Sequence, residues 1–221
     1  MRIIVTAGPT REHLDPVRFL SNPSTGKMGF AIAAEAARRG HEVTLVAGPV
    51  ALKTPARVHR VDVTSAREML AAVRGALSAP AAESGGGTVM VATAPVADWR
   101  PAKCAARKLK KGEMSGVLKL VRNPDILKTV DSYRKRSKAV GLRLVGFAAE
   151  TDHVLGEAAR KCREKGLSFI VANDVTKKGC GFGTDTNKVT FVFPDGTVRK
   201  FPLMTKRMVA KRILEEIENE E

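Results

Sequence analysis

Arg2-Ile3-Ile4-Val5-Thr6-Ala7, closed by Gly8-Pro9, decides the fold. Its β-branched residues occupy both alternating faces, so it reads as a strand buried on both sides, and Gly8-Pro9 ends it. A polar loop follows through Thr25. Residues 27–39 then have helical spacing with alanine at most inward positions. Gly40 stops that helix, and residues 41–47 form a second strand. Strand, loop, helix, strand is the opening of a parallel sheet.

Working outward, residues 58–63 read as a strand, 65–77 as a helix and 88–92 as a strand. Residues 79–87, rich in Ala, Ser and Gly, read as a flexible surface loop. Residues 93–117 have no convincing period. A short helix at 123–132, a strand at 142–148, a helix at 152–165 and a strand at 167–172 follow. The last third changes character: residues 188–193 and 197–201 flank Asp195-Gly196 as a β-hairpin with a tight turn. Residues 203–218 make a closing amphipathic helix. The expected fold is α/β: a doubly wound, mostly parallel, Rossmann-like sheet with an appended antiparallel β-hairpin. Residues 1–221 are expected to form a single domain, with no internal repeat.

Composition agrees. Hydrophobic residues make up 43% of the chain but aromatic ones only 5%, so the core is expected to use Val, Ile, Leu and Ala. No secretory leader precedes the first strand, and no apolar run is long enough to cross a bilayer. A cytoplasmic location and no membrane partner are expected. Cys104, Cys162 and Cys180 are too few and too scattered for a zinc site and read as reduced thiols. The net charge of +15 calls for a polyanionic partner. Scarce aromatics weigh against a base-stacking single-strand binder, and the cations are spread along the chain without a recognition module. A non-catalytic nucleotide- or nucleic-acid-binding protein stands as the alternative to an enzyme.

In such a sheet ligands settle beyond the carboxyl ends of the strands, and four loops there are unusual. The first runs from Gly8-Pro9-Thr10-Arg11-Glu12 to Asn22-Pro23-Ser24-Thr25-Gly26-Lys27-Met28-Gly29. Ser24 or Thr25 can cap the next helix, while Gly26 and Gly29 leave its amino end open to an anion. Gly8, Thr10 and Ser24 are the candidate phosphate contacts. This is not a Walker loop: Ser21 lies five before Gly26, and Met28 stands where Ser or Thr is needed. It is not the nicotinamide fingerprint either, because the second strand ends in Ala47-Gly48 with no acid for a ribose.

The second loop carries Ala94, Asp98 at the strand mouth, and six cations with no acid between Trp99 and Gly112, Lys108 among them. Long loops of this kind commonly serve as lids, and lysines here could close over a triphosphate. The third is Asn123-Pro124-Asp125-Ile126, with Asn123 as cap and Pro124 at the first helical position. The fourth follows Phe147, and in the helix after it Lys161 and Lys165 share a face.

Together these segments resemble the phosphopantothenoylcysteine synthetase family of coenzyme A biosynthesis. The resemblance runs from Ile3 to about Arg207 and is carried by TAGPTRE, DPVRFLSNPSTGKMG, APVADWRP, KLKK, NPDI, VGFAAET, ANDV and FGTDTNKV. It implies a phosphopantothenate–cysteine ligase that uses CTP and Mg2+ and works as a homodimer. The carboxylate of 4′-phosphopantothenate attacks the α-phosphorus of CTP, releasing pyrophosphate. L-cysteine then displaces CMP from the acyl-cytidylate. By resemblance, Lys108 contacts the triphosphate in the first step and Asn22 converts the intermediate in the second. Asp98, Asn123, Pro124, Asp125, Ile126, Phe147, Lys161 and Lys165 match nucleotide-binding positions, and Ala94 a small position near the pocket. Two features depart from the family pattern: the flavin-binding decarboxylase half is missing, so no flavin is expected, and Trp99 replaces a tyrosine.

Overall fold

A computed structural model of the chain describes residues 1–79, 87–113, 116–137, 141–150, 154–174, 179–181 and 183–219. The middle of the expected 79–87 loop and residues 152 and 153 of the expected 152–165 helix lie outside that set. The first run becomes β1 (Arg2–Ala7), with all six residues buried. It leads through β2 (Arg11–His13) and β3 (Phe19–Ser21) to α1 (Lys27–Arg38), then to β4 (Glu42–Ala47), β5 (Val58–Asp62), α2 (Ala66–Ser78) and β6 (Thr88–Ala92). Next come β7 (Trp99–Pro101), β8 (Leu120–Arg122), α3 (Ile126–Ser137), β9 (Leu142–Glu150) and α4 (Val154–Glu164). The chain closes with β10 (Phe169–Asp174), β11 (Thr186–Val192), β12 (Val198–Thr205) and α5 (Lys206–Asn219).

Eight strands form one sheet in the order β12-β11-β10-β9-β6-β1-β4-β5. β1 pairs in parallel with β4 on one side and β6 on the other, so the winding reverses between β1 and β6. The hairpin β11–β12 belongs to this sheet, for β11 pairs antiparallel with β10.

Period-two alternation divides the core. Ile3, Val5, Leu45, Val91, Val171 and Phe191 face α1 and α5, whereas Ile4, Val46, Met90, Leu144 and Ile170 face α2, α3 and α4. The scarce aromatics collect at the antiparallel end, where Phe191 lies 5.2 Å from Phe169 and 4.7 Å from Phe201. α1 also reaches across to α5: Arg39 bonds both Glu35 and Glu218.

Five local expectations change, the first being that residues 203–205 extend β12 and the closing helix begins only at Lys206. The loop after β1 contains the β2–β3 hairpin, whose turn forms because Asp15 accepts the amides of Val17 and Arg18. The aperiodic 93–117 stretch holds β7, which needs the distant β8 as its partner and so has no local signal. No side chain caps α1. Gly26 occupies the cap at φ 77°, left-handed backbone that glycine accepts without strain, and Ser24 Oγ instead accepts the Gly26 amide. Asn123 does not cap α3 either. Asp125 does, accepting the Lys128 amide at 3.0 Å, because the helix begins only at Ile126.

Candidate functional site

The reversal between β1 and β6 spreads the two following loops apart, and side chains then stitch them together. Thr93 donates its hydroxyl to the Thr6 carbonyl at 2.6 Å, and the Ala94 amide donates to Thr6 Oγ1 at 3.4 Å. Further out, the Ala97 amide donates to Thr10 Oγ1 at 3.1 Å, and Asn22 Nδ2 donates to the Pro95 carbonyl at 3.0 Å. α1 arrives so close that a Cβ on Gly29 would stand 2.5 Å from both Ala7 Cβ and Thr93 Oγ1. The amino end of α1 is thereby held at the rim of the sheet.

A cleft of about 720 Å³ opens there. This is within the usual range for a small-molecule site. Its walls come from both helical layers. From the α1 and α5 side come Ser24, Gly26, Lys27, Gly29 and Lys206; from the α3 and α4 side come Asn123, Pro124, Asp125, Ile126, Lys128, Lys161 and Lys165. The floor is the strand ends, with Thr93, Ala94, Asp98, Phe147, Asn173 and Asn187.

Asn123 ties the α3 side to the β6 loop: its Nδ2 donates to the Ala97 carbonyl at 2.8 Å, its backbone amide to the Asp98 carbonyl at 2.8 Å. Arg100 donates to Asn123 Oδ1 at 3.1 Å. Lys165 pairs with Asp125 at 2.9 Å, joining α4 to the cap of α3. Burial pushes the Asp125 carboxyl up, but the Lys128 amide and the Lys165 ammonium outweigh it and hold it below the ordinary carboxylate range.

The sequence-derived residues therefore fall into three groups. Ser24, Ala94, Asp98, Asn123, Pro124, Asp125, Ile126, Phe147, Lys161 and Lys165 line one cleft. Gly8, Thr10 and Asn22 lie just behind it. Thr10 is fully buried and spends its hydroxyl on Ala97; Gly8 packs beneath Gly26, whose Cβ would meet the Gly8 amide nitrogen at 3.3 Å. Asn22 sits behind the β6 loop through its bond to Pro95. Lys108 is not brought to the cleft wall. It is exposed on a segment fastened to the β2–β3 turn, where the Leu109 amide donates to Asp15 Oδ2 and Arg18 donates to the Leu109 carbonyl at 2.9 Å.

Several cleft residues carry no motif signal on their own. Lys27 and Lys206 sit at the first positions of two helices far apart in sequence. Asn173 and Asn187 meet across the β10–β11 pair, and Asn173 Oδ1 is buried with no hydrogen-bond partner among the described residues. Among the described residues no group of three or more His, Cys, Asp or Glu side chains is placed to hold a metal ion. No helix is long and apolar enough to cross a membrane, again among the described residues.

The family model of the DNA/pantothenate metabolism flavoprotein C-terminal domain matches residues 1–220. The chain belongs to that family. Among curated relatives in the family, the coenzyme A biosynthesis bifunctional protein CoaBC of Escherichia coli strain K12 is 45% identical over 220 residues, covering 98% of this chain and 51% of its own length. The Bacillus subtilis strain 168 protein of the same name is 43% identical over 216 residues, covering 97% and 50%. The chain thus spans about half the length of the curated relatives it matches. A solved family structure, the C-terminal domain of a CoaBC protein, superposes with a TM-score of 0.78 at 43% identity, covering 98% of this chain and 93% of the other. Its likeness agrees with the Rossmann-like sheet described above.

Proposed function

We propose that the chain is a phosphopantothenate–cysteine ligase that activates 4′-phosphopantothenate with CTP. The observation that carries this reading is the cleft at the β1–β6 reversal, where an uncapped helix end and lysines from both layers converge. Membership of a family whose relatives are named for coenzyme A biosynthesis supports the substrate choice.

The chemistry suits these residues. A carboxylate does not acylate an amine until it becomes a mixed anhydride. Its oxygen attacks the α-phosphorus, the bond to the bridging oxygen breaks, and pyrophosphate leaves. The amine of L-cysteine then attacks the acyl carbon and expels CMP. Charge gathers on phosphate oxygens throughout, so fixed ammonium groups and helix amides are the stabilising groups the reaction needs. No side-chain nucleophile is required, and with no electron transferred there is no role for flavin.

Asp98, Asn123, Pro124, Asp125, Ile126, Phe147, Lys161 and Lys165 form the nucleotide wall in this reading, with Ala94 leaving room beside it. Ser24 stands with the bare amides of α1. Gly8, Thr10 and Asn22 act through the loops they hold, and Asn22 orients the acyl group through the β6 loop. Lys108, exposed on the docked segment, reaches the triphosphate when that segment closes. Mg2+ bound with the triphosphate would supply charge neutralisation, and Asp98, a carboxylate lining the cleft, would be the residue to hold it.

The reading includes a homodimer. The β2–β3 and β7–β8 hairpins pack together and expose Val17, Phe19, Trp99, Val117, Leu118 and Leu120, a patch suited to a second copy. It also includes a cytoplasmic location, where cysteine is held reduced.

A coupled pyrophosphate assay tests the reaction. Pyrophosphate release should require CTP and 4′-phosphopantothenate together, CMP release should further require cysteine, and ATP should substitute poorly. Release without phosphopantothenate, or none with all three substrates, would remove the ligase reading.

A further inference from the structure

The α1 and α5 side of the cleft carries two ammonium groups apart from those of the nucleotide wall. Lys27 opens α1 and pairs with Asp185 at 2.7 Å, also donating to the Gly183 carbonyl at 3.1 Å. Lys206 opens α5. Its side chain donates to the Thr184 carbonyl, and its backbone amide donates to the Asp185 carbonyl at 2.9 Å. Lys206 is only 6% exposed, yet both lysines line the cleft beside Gly26 and Gly29.

The carboxylate paired with Lys27 belongs to Asp185, whose side chain is 85% exposed and therefore well solvated. Burial and the neighbouring Lys27 pull the Lys206 ammonium below the ordinary lysine value. Two like charges near a cleft wall are stabilised by an anion between them. The cations of the opposite wall, Lys161 and Lys165, come from the other helical layer, and Lys165 is bound to Asp125. The cleft therefore has two separate cationic ends, and the ligase reaction brings two phosphate-bearing substrates.

We propose that Lys27 and Lys206 form the polyphosphate end of the cleft, holding the β- and γ-phosphates of the nucleotide and then the departing pyrophosphate. Asp185 occupies Lys27 until the nucleotide arrives. This rests on the ligase reading for the identity of the nucleotide. Two ammonium groups beside a bare helix end match an extended, highly charged polyphosphate better than a monoester. When the bond between the α-phosphorus and the bridging oxygen breaks, its electron pair goes to pyrophosphate, where these ammonium groups neutralise it.

The test is calorimetric titration of the whole chain and of Lys27→Gln, Lys206→Met and Asp185→Asn with CTP, CMP, inorganic pyrophosphate and 4′-phosphopantothenate. Each lysine variant should bind CTP and pyrophosphate at least about tenfold more weakly. CMP and phosphopantothenate should bind as to the unmodified chain, and Asp185→Asn should bind pyrophosphate more tightly. Equal weakening of CMP and CTP would overturn the proposal, as would weakening of phosphopantothenate in place of CTP. Should Lys206→Met fail to fold, Lys27→Gln decides the matter on the same readouts. Unchanged CTP affinity in the variants of a chain that turns over sinks this proposal alone. Lysine-dependent pyrophosphate binding in a chain without turnover upholds it and sinks the ligase reading.

Discussion

Asn22 shows how one side chain joins two parts of a site. Its amide donates to the Pro95 carbonyl, so an aspartate there would set a carboxylate against a carbonyl and release the β6 loop. Asn22→Asp should lower overall turnover by about 100-fold. Acyl-cytidylate should accumulate and be visible by mass spectrometry; a variant that turns over normally would contradict the role. Lys108→Gln should instead slow pyrophosphate release by at least about tenfold. Because Lys108 is exposed, its Tm should not change. The two residues also differ in how legible they were. Asn22 sits in a motif next to α1, and the structure puts it within one bond of the cleft through Pro95. Lys108 could be flagged by its run of cations, but where that run docks depends on Asp15 and Arg18, residues more than ninety positions away.

At the scale of elements, α1 is the part on which most depends. Gly29→Ala would press a methyl group onto Ala7 and Thr93, lifting the helix from β1. The expected loss is about 2 kcal/mol, read by thermal melting, with a higher KM for CTP because the helix end moves. The opposite end of α1 is held by Glu35, which accepts from Arg38 at 2.8 and 2.7 Å and from Arg39 at 2.9 Å. Those guanidinium groups, Arg38 first, outweigh burial and hold the Glu35 carboxyl at about 2, below its ordinary 4.5. The folded value is the lower one, so the contribution is complete above pH 4.5 and fades as pH falls towards 2. Glu35→Gln should cost about 2 kcal/mol at pH 7, roughly 5 °C in Tm, and the deficit should shrink through that acid window. A deficit independent of pH would rule out the charge as its source.

Elements also explain what reading the chain missed. The parallel strands and their helices were legible because burial on both faces and a 3.6 period are local patterns. β2, β3, β7 and β8 are three residues each, too short for a period, and exist because Asp15 closes one turn and distant partners pair the others. The helix starts at Lys27 and Ile126 were near the expected places, but their caps were assigned to Ser24 or Thr25 and to Asn123. Asn123 instead bonds the β6 loop, a choice that depends on tertiary contacts, while Ser24 accepts only the Gly26 amide. Lys27, Asn173, Asn187 and Lys206 joined the cleft only through the order of strands β1, β10 and β11.

On the scale of the whole molecule, the proposed dimer is open to direct measurement. The chain is 23.8 kDa, and sedimentation should give twice that mass. Leu118→Asp together with Leu120→Asp should yield folded monomers, since both side chains are exposed, with a Tm that no longer depends on protein concentration. A monomeric unmodified chain would remove the dimer from the proposed function.

The central place of β1 has a consequence for biosynthesis. Within this chain β1 is made before its β6 neighbour, which follows more than eighty residues later. A nascent chain therefore carries an apolar ribbon with one edge unpaired until β6 has been made. Such an edge invites pairing with other chains. In the proposed ligase, recognition of the nucleotide cannot begin until β6 closes that edge, so the order of synthesis makes ligand affinity a late sign that the sheet has been completed.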